Sequence, residues 1–85
     1  MEILNKIFEI IEAHPKTSSS GVLANAMASA CNGQYTVALL DVSVNLDDNG
    51  KGLVDRLARI AQEPDYSNDA QALAIKKLQA LGFIN

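Results

Sequence analysis

The sequence predicts an all-α fold, in which residues 1–85 form one domain: a compact bundle of four or five short helices closed by a C-terminal antiparallel helical hairpin. Three observations predict it. Apolar residues recur at three-to-four spacing in several separate stretches, which gathers them into helical stripes. Pro15, the Asn32–Gly33 pair and the Glu63–Pro64 pair fall where those stripes break off. No two segments alternate in a way that would let them pair as strands. The composition agrees, with 48% hydrophobic and 20% charged residues and only Phe8, Phe83, Tyr35 and Tyr66 as aromatics. The core is therefore aliphatic and rich in alanine, which favours close helix packing. A chain of this length buries only roughly 60–65% of its unfolded surface, so a partner or second copy would add to its stability.

Residues Glu2 to His14 form the first helix. Ile3, Leu4, Ile7, Phe8, Ile10 and Ile11 face inward, Glu2 and Lys6 form an i, i+4 pair, and Pro15 ends it. Its stripe is wide, and two uses account for that: a seat in a groove between other helices, or a surface for a dimer or partner. The hydroxyls of Thr17 to Ser20 suit a helix start, and a second helix runs from about Ser20 to Cys31, with a left-handed stop expected at Asn32–Gly33.

Residues 36–47 allow two readings. Leu40, Val42, Val44 and Leu46 alternate with Asp41, Ser43, Asn45 and Asp47, as in a half-buried strand. A lone strand leaves its backbone groups unpaired unless it meets its copy in a dimer, so a helix from Thr36 is preferred, with Val37, Leu40 and Val44 sharing a face. Asp47 to Gly52 reads as a polar turn.

The hairpin follows. Leu53, Val54, Leu57, Ala58, Ile60 and Ala61 make one stripe, and Ala70, Leu73, Ala74, Leu78 and Leu81 the other. Ser67 or Asn68 caps the second helix, and Gly82 ends it with Phe83 or Ile84 folded back.

Function is less legible. The net charge is −3, and the seven bases are scattered, whereas nucleic-acid affinity rests on clustered cations. Cys31 is alone, so no intrachain disulfide forms and a reducing compartment is expected. The N-terminal stretch is amphipathic, unlike a secretory signal, and no segment approaches the roughly 20 apolar residues of a membrane span. The expected location is the cytoplasm.

With Gly50 as the sixth residue of a calcium loop, Asn45, Asp47 and Asn49 fall at ligand positions, but Arg56 then stands where a bidentate Glu is required. One His and one Cys are too few for a soft metal site. No motif ties His14 to Cys31 or to a serine, and Gly50 and Gly52 lie outside any phosphate-loop pattern. The Asp47–Asp48 pair sits in a polar turn. The expectation is a non-enzyme without cofactor or metal.

The length and acidity are also those of an acyl carrier protein, but the Asp-Ser-Leu motif that holds its phosphopantetheine is absent. From Ala38 to Gly82 the chain resembles a HEAT or armadillo-type helical repeat. Ala38 to Asn45 precede a polar turn, and Gly52 to Ala61 and the alanine- and leucine-rich Ala70 to Gly82 follow as the helical pair. Stable solenoids need about three such repeats, more than this chain holds. The resemblance implies protein binding through helix faces.

The resulting expectation is a small inhibitor, adaptor or accessory subunit that binds another protein. The contact surface would be Asp41, Asp47, Asp48 and Asp55 with any exposed part of the first helix, and the module could also form a homodimer. The competing class is a nucleic-acid-binding regulator of helix-turn-helix type, with the Ser20–Cys31 helix in the motif and Arg56, Arg59, Lys76 and Lys77 on phosphates.

Overall fold

A computed structural model describes all residues, 1–85, and its elements follow in the order α1 (Glu2–Ala13), α2 (Ser18–Cys31), α3 (Leu39–Asn45), α4 (Asp48–Ala58), a 3-10 turn at Ile60–Gln62, and α5 (Asn68–Ala80). There is no strand. The expected all-α bundle of short helices is what the chain forms.

α1 buries Ile3, Leu4, Ile7, Phe8 and Ile11 and leaves Ile10 half-buried. Its wide stripe is consumed inside the molecule, against α2 and α4, with Leu4 and Phe8 also bordering Ala70, Leu73 and Ala74 of α5. The groove reading therefore holds, and little apolar surface remains on α1 for a partner. Glu2 lies 3.7 Å from Arg56 instead of pairing with Lys6.

α2 is the central helix, packed by α1, α3, α4 and α5. Val22, Leu23, Ala24, Ala26, Met27 and Ala28 are all buried, and the small alanines let several neighbours approach at once. It starts at Ser18 because Thr17, the first hydroxyl of the run, is the cap, its Oγ1 accepting from the Ser20 N–H at 3.2 Å. It ends without the expected left-handed residue: Asn32 is extended, and its Oδ1 accepts from the Gln34 N–H at 2.9 Å.

Residues 32–38 then run irregularly to α3, which begins at Leu39, not Thr36. It is a helix, as preferred, but the buried residues are Val42 and Leu46, and the expected inward pair Leu40 and Val44 is exposed. The two sets face opposite sides of a helix, so only one could be buried.

The polar stretch read as a turn is the cap and first turns of α4. Asp47 Oδ1 accepts from the Gly50 N–H at 2.8 Å, and Asp48 stands in the first turn, where a carboxylate meets the positive end of the helix dipole. The glycines hid this helix, since glycine disfavours helix interiors. Gly50 has a packing reason: a Cβ there would lie 3.1 Å from Leu46 Cβ.

α4 stops at Ala58, so the link to α5 includes the 3-10 turn and begins well before the break expected at Glu63–Pro64. The two helices consequently return to α2, and their contact with each other is minor. Ser67 caps α5, its Oγ accepting from the Ala70 N–H. Gln71, Ala74 and Leu78 face inward, while Leu73 and Leu81, expected in the stripe, are exposed. Gly82, at φ 83°, closes the helix: Phe83 N–H reaches Leu78 O and Gly82 N–H reaches Gln79 O, the paired bonds of a Schellman end. Phe83 and Ile84 fold back onto the core.

Candidate protein-interaction site

α3 is anchored on one side only. Val42 and Leu46, four residues apart, hold it to the core, and that rotation turns Leu40 and Val44 outward. Leu39 at its first turn is 80% exposed, and Leu40 and Val44 are each 72% exposed. Beside Leu39 a hollow of about 420 Å³ opens between α2 and α4, bordered by Ala26, Ala30, Val37, Val54 and Ala58. Small side chains make this hollow, because Ala26 and Ala30 do not fill the space that α2 leaves beside α4.

The acidic residues singled out from sequence separate into two groups. Asp41, Asp47 and Asp48 lie on α3 and at the α3–α4 corner, all exposed, with no cation at ion-pair distance. Asp47 is partly occupied, since one carboxylate oxygen caps α4. Asp55, two turns further along α4, is paired with Arg59. The aliphatic residues Leu39, Leu40 and Val44 were not among the expected contact residues. Their signal was present: residues 39–46 carry apolar side chains on both sides of a short helix, more than one packing face can take up.

The cations of the competing reading are mostly engaged. Arg56 donates from Nε to Glu63 Oε1 at 3.2 Å and is paired with the same carboxylate through Nη2, which raises its pKa above the ordinary value. Arg59 is held by Asp55. Lys77 Nζ sits 3.5 Å from Glu12 and 4.4 Å from the centre of the Phe8 ring. Of the four, Lys76 alone has no such partner. α2, enclosed by its neighbours, exposes only Ser18 and Asn25 fully.

His14 ends α1 four residues before α2 begins and Cys31 is the last residue of α2, a helix roughly 20 Å long. Burial pushes the Cys31 thiol up from 9.0 to about 11, which suppresses the thiolate a nucleophile needs. The calcium-loop positions are otherwise employed. Asn45 Nδ2 donates to the Asp41 carbonyl at 3.0 Å, Asp47 caps α4, and Arg56 is bonded to Glu63. No group of three or more His, Cys, Asp or Glu side chains converges anywhere. No helix is long and apolar enough to cross a membrane. Compared with protein-family models, with curated proteins and with solved structures, the chain matches none of them.

Proposed function

We propose that this chain is a non-enzymatic, cytoplasmic protein-binding module that works as an inhibitor, adaptor or accessory subunit and docks its partner on the outer face of α3. The observation that carries the reading is the exposure of Leu39, Leu40 and Val44 together on one seven-residue helix. Single exposed leucines are ordinary on a protein surface, but neighbouring ones beside an apolar hollow are what an interface offers. Burying each such side chain contributes about 1.5–3 kcal/mol, so these three supply most of the drive for a modest-affinity contact. Asp41 and Asp48, free of ion pairs, would speed and orient the encounter. Arg56, Arg59 and Lys77, which the nucleic-acid reading needs on phosphates, already have acidic partners.

The test compares proteins captured from the native host's lysate by the wild-type chain and by the Leu40→Ser/Val44→Ser double variant, both checked for the same helical circular dichroism. A protein retained by the first and lost by the second is the expected result. Identical capture by both removes α3 as the docking face.

A further inference from the structure

Along α3 and at its corner with α4 every charged side chain is acidic, and that sign selects the occupant. From Thr17 through Gly50 the chain holds no Lys, Arg or His, while Asp41, Asp47 and Asp48 all reach solvent in that span. The first cation, Lys51, comes after the corner. We infer that the α3 face and the adjoining α2–α4 hollow receive an amphipathic helix of another protein, with large apolar side chains along one stripe and Lys or Arg residues flanking it. This inference rests on the reading of α3 as a docking face.

The choice of a helix follows from backbone chemistry. An extended peptide added as a strand needs a sheet edge and a polyproline-type one an aromatic-lined groove, whereas this chain has no strand and no aromatic residue lines the hollow. A helix brings its backbone bonds satisfied and presents side chains at i, i+3, i+4 and i+7. The hollow bordered by Ala26, Ala30 and Ala58 would take one large side chain between α2 and α4, Leu39 joins that hollow to α3, and further side chains of the stripe would then lie on the exposed Leu40 and Val44. A second copy of this chain is the poorer occupant. A two-fold contact centred on α3 would bring Asp41 close to its symmetry mate, and α3 itself holds no cation to offset the repulsion.

The experiment uses the full chain and two synthetic peptides of roughly four helical turns. Both carry the same leucine stripe; one has Lys and Arg on its flanks, the other Glu. Binding is followed by fluorescence anisotropy and by the methyl signals of Leu39, Leu40 and Val44. The expected result is binding of the basic peptide at least about tenfold tighter than the acidic one at low salt, with the difference shrinking in ~1 M salt. Leu40→Ser abolishes that binding, Leu40→Ala weakens it, and Asp41→Asn with Asp48→Asn narrows the tenfold gap.

If both peptides bind equally through Leu40, the charge selection is wrong and the docking face stands. If neither peptide shifts the α3 methyl signals, the inference is overturned; the docking face then falls only if lysate capture is also indifferent to Leu40→Ser. If light scattering finds a dimer that Leu40→Ser dissolves, the occupant is a second copy and the inference is likewise overturned.

Discussion

Leu40 and Val42, two positions apart on α3, lie on opposite sides of the helix: Leu40 is 72% exposed and Val42 only 8%. A turn of 100° per residue puts them about 200° apart, so burying one commits the other to solvent. This relationship separates residues that hold the fold from residues that packing leaves exposed.

Stability should follow that division. Leu40→Ser and Val44→Ser are expected to change the unfolding free energy by no more than about 0.5 kcal/mol, since neither removes a buried contact. Leu46→Ala, at a side chain 6% exposed on the inward side of the same segment, should cost about 2–5 kcal/mol. Urea unfolding measures all three; a large loss at Leu40 would mean that its side chain is packed.

Asp47 has a structural duty that its neighbour lacks. Removing the cap on the Gly50 N–H with Asp47→Ala should destabilise the protein by about 0.5–2 kcal/mol. Asp41→Asn leaves every side-chain bond in place and should stay within about 0.5 kcal/mol. Charge reversal at Asp47 is thus a mixed probe of binding and folding, and Asp41 is the cleaner one.

Gly82 occupies the left-handed region at φ 83° while open space surrounds its Cα. Gly82→Ala therefore meets no steric clash with neighbours and should cost about 1–2 kcal/mol from backbone strain alone. Thermal melting should show the loss, and an unchanged melting temperature would place the chain end outside the cooperative fold.

Cys31, half-buried against the core, should behave as a shielded thiol. A pKa raised from 9.0 to about 11 lowers the thiolate population at pH 8 by about 100-fold relative to the unfolded chain, so a disulfide reagent should label the native protein that much more slowly. Because the folded pKa is the higher one, the stability this group contributes is complete below about pH 9 and is lost as pH rises through about 11. Labelling rates with and without denaturant check the first statement. Cys31→Ala should flatten the loss of stability between those two pH values if the second is right.

The two arginines of α4 are not equivalent. Arg56 joins α4 to Glu63, whose side chain is 17% exposed, and also approaches Glu2 of α1, whereas Arg59 pairs with the exposed Asp55 on its own helix. Arg56→Ala should lower the urea midpoint more than Arg59→Ala, because it strands a partly buried carboxylate and breaks links between elements. Equal midpoints would show that the Glu63 carboxylate finds water instead.

Local chemistry was enough to reveal helices and some of their caps and ends, though not the extended end of α2 at Asn32 or the Asp47 cap of α4. Pro15, Ser67 and Gly82 do their work within a few residues of themselves, and the broad stripe of α1 asked for cover wider than one helix, from its neighbours or from a partner. Three decisions belonged to the tertiary structure. Whether Leu40 and Val44 or Val42 and Leu46 turn inward depends on which side α2 and α4 occupy, and the alternating pattern of residues 40–46 is the same either way. That Asp47 to Gly52 is a helix start depends on α4 packing against α2, which offsets the low helix propensity of two glycines. That α4 and α5 close on α2 instead of on each other depends on the alanine surface of α2, whose low relief lets both approach. The candidate site arises from the first of these choices, since the aliphatic face is the one that packing left over.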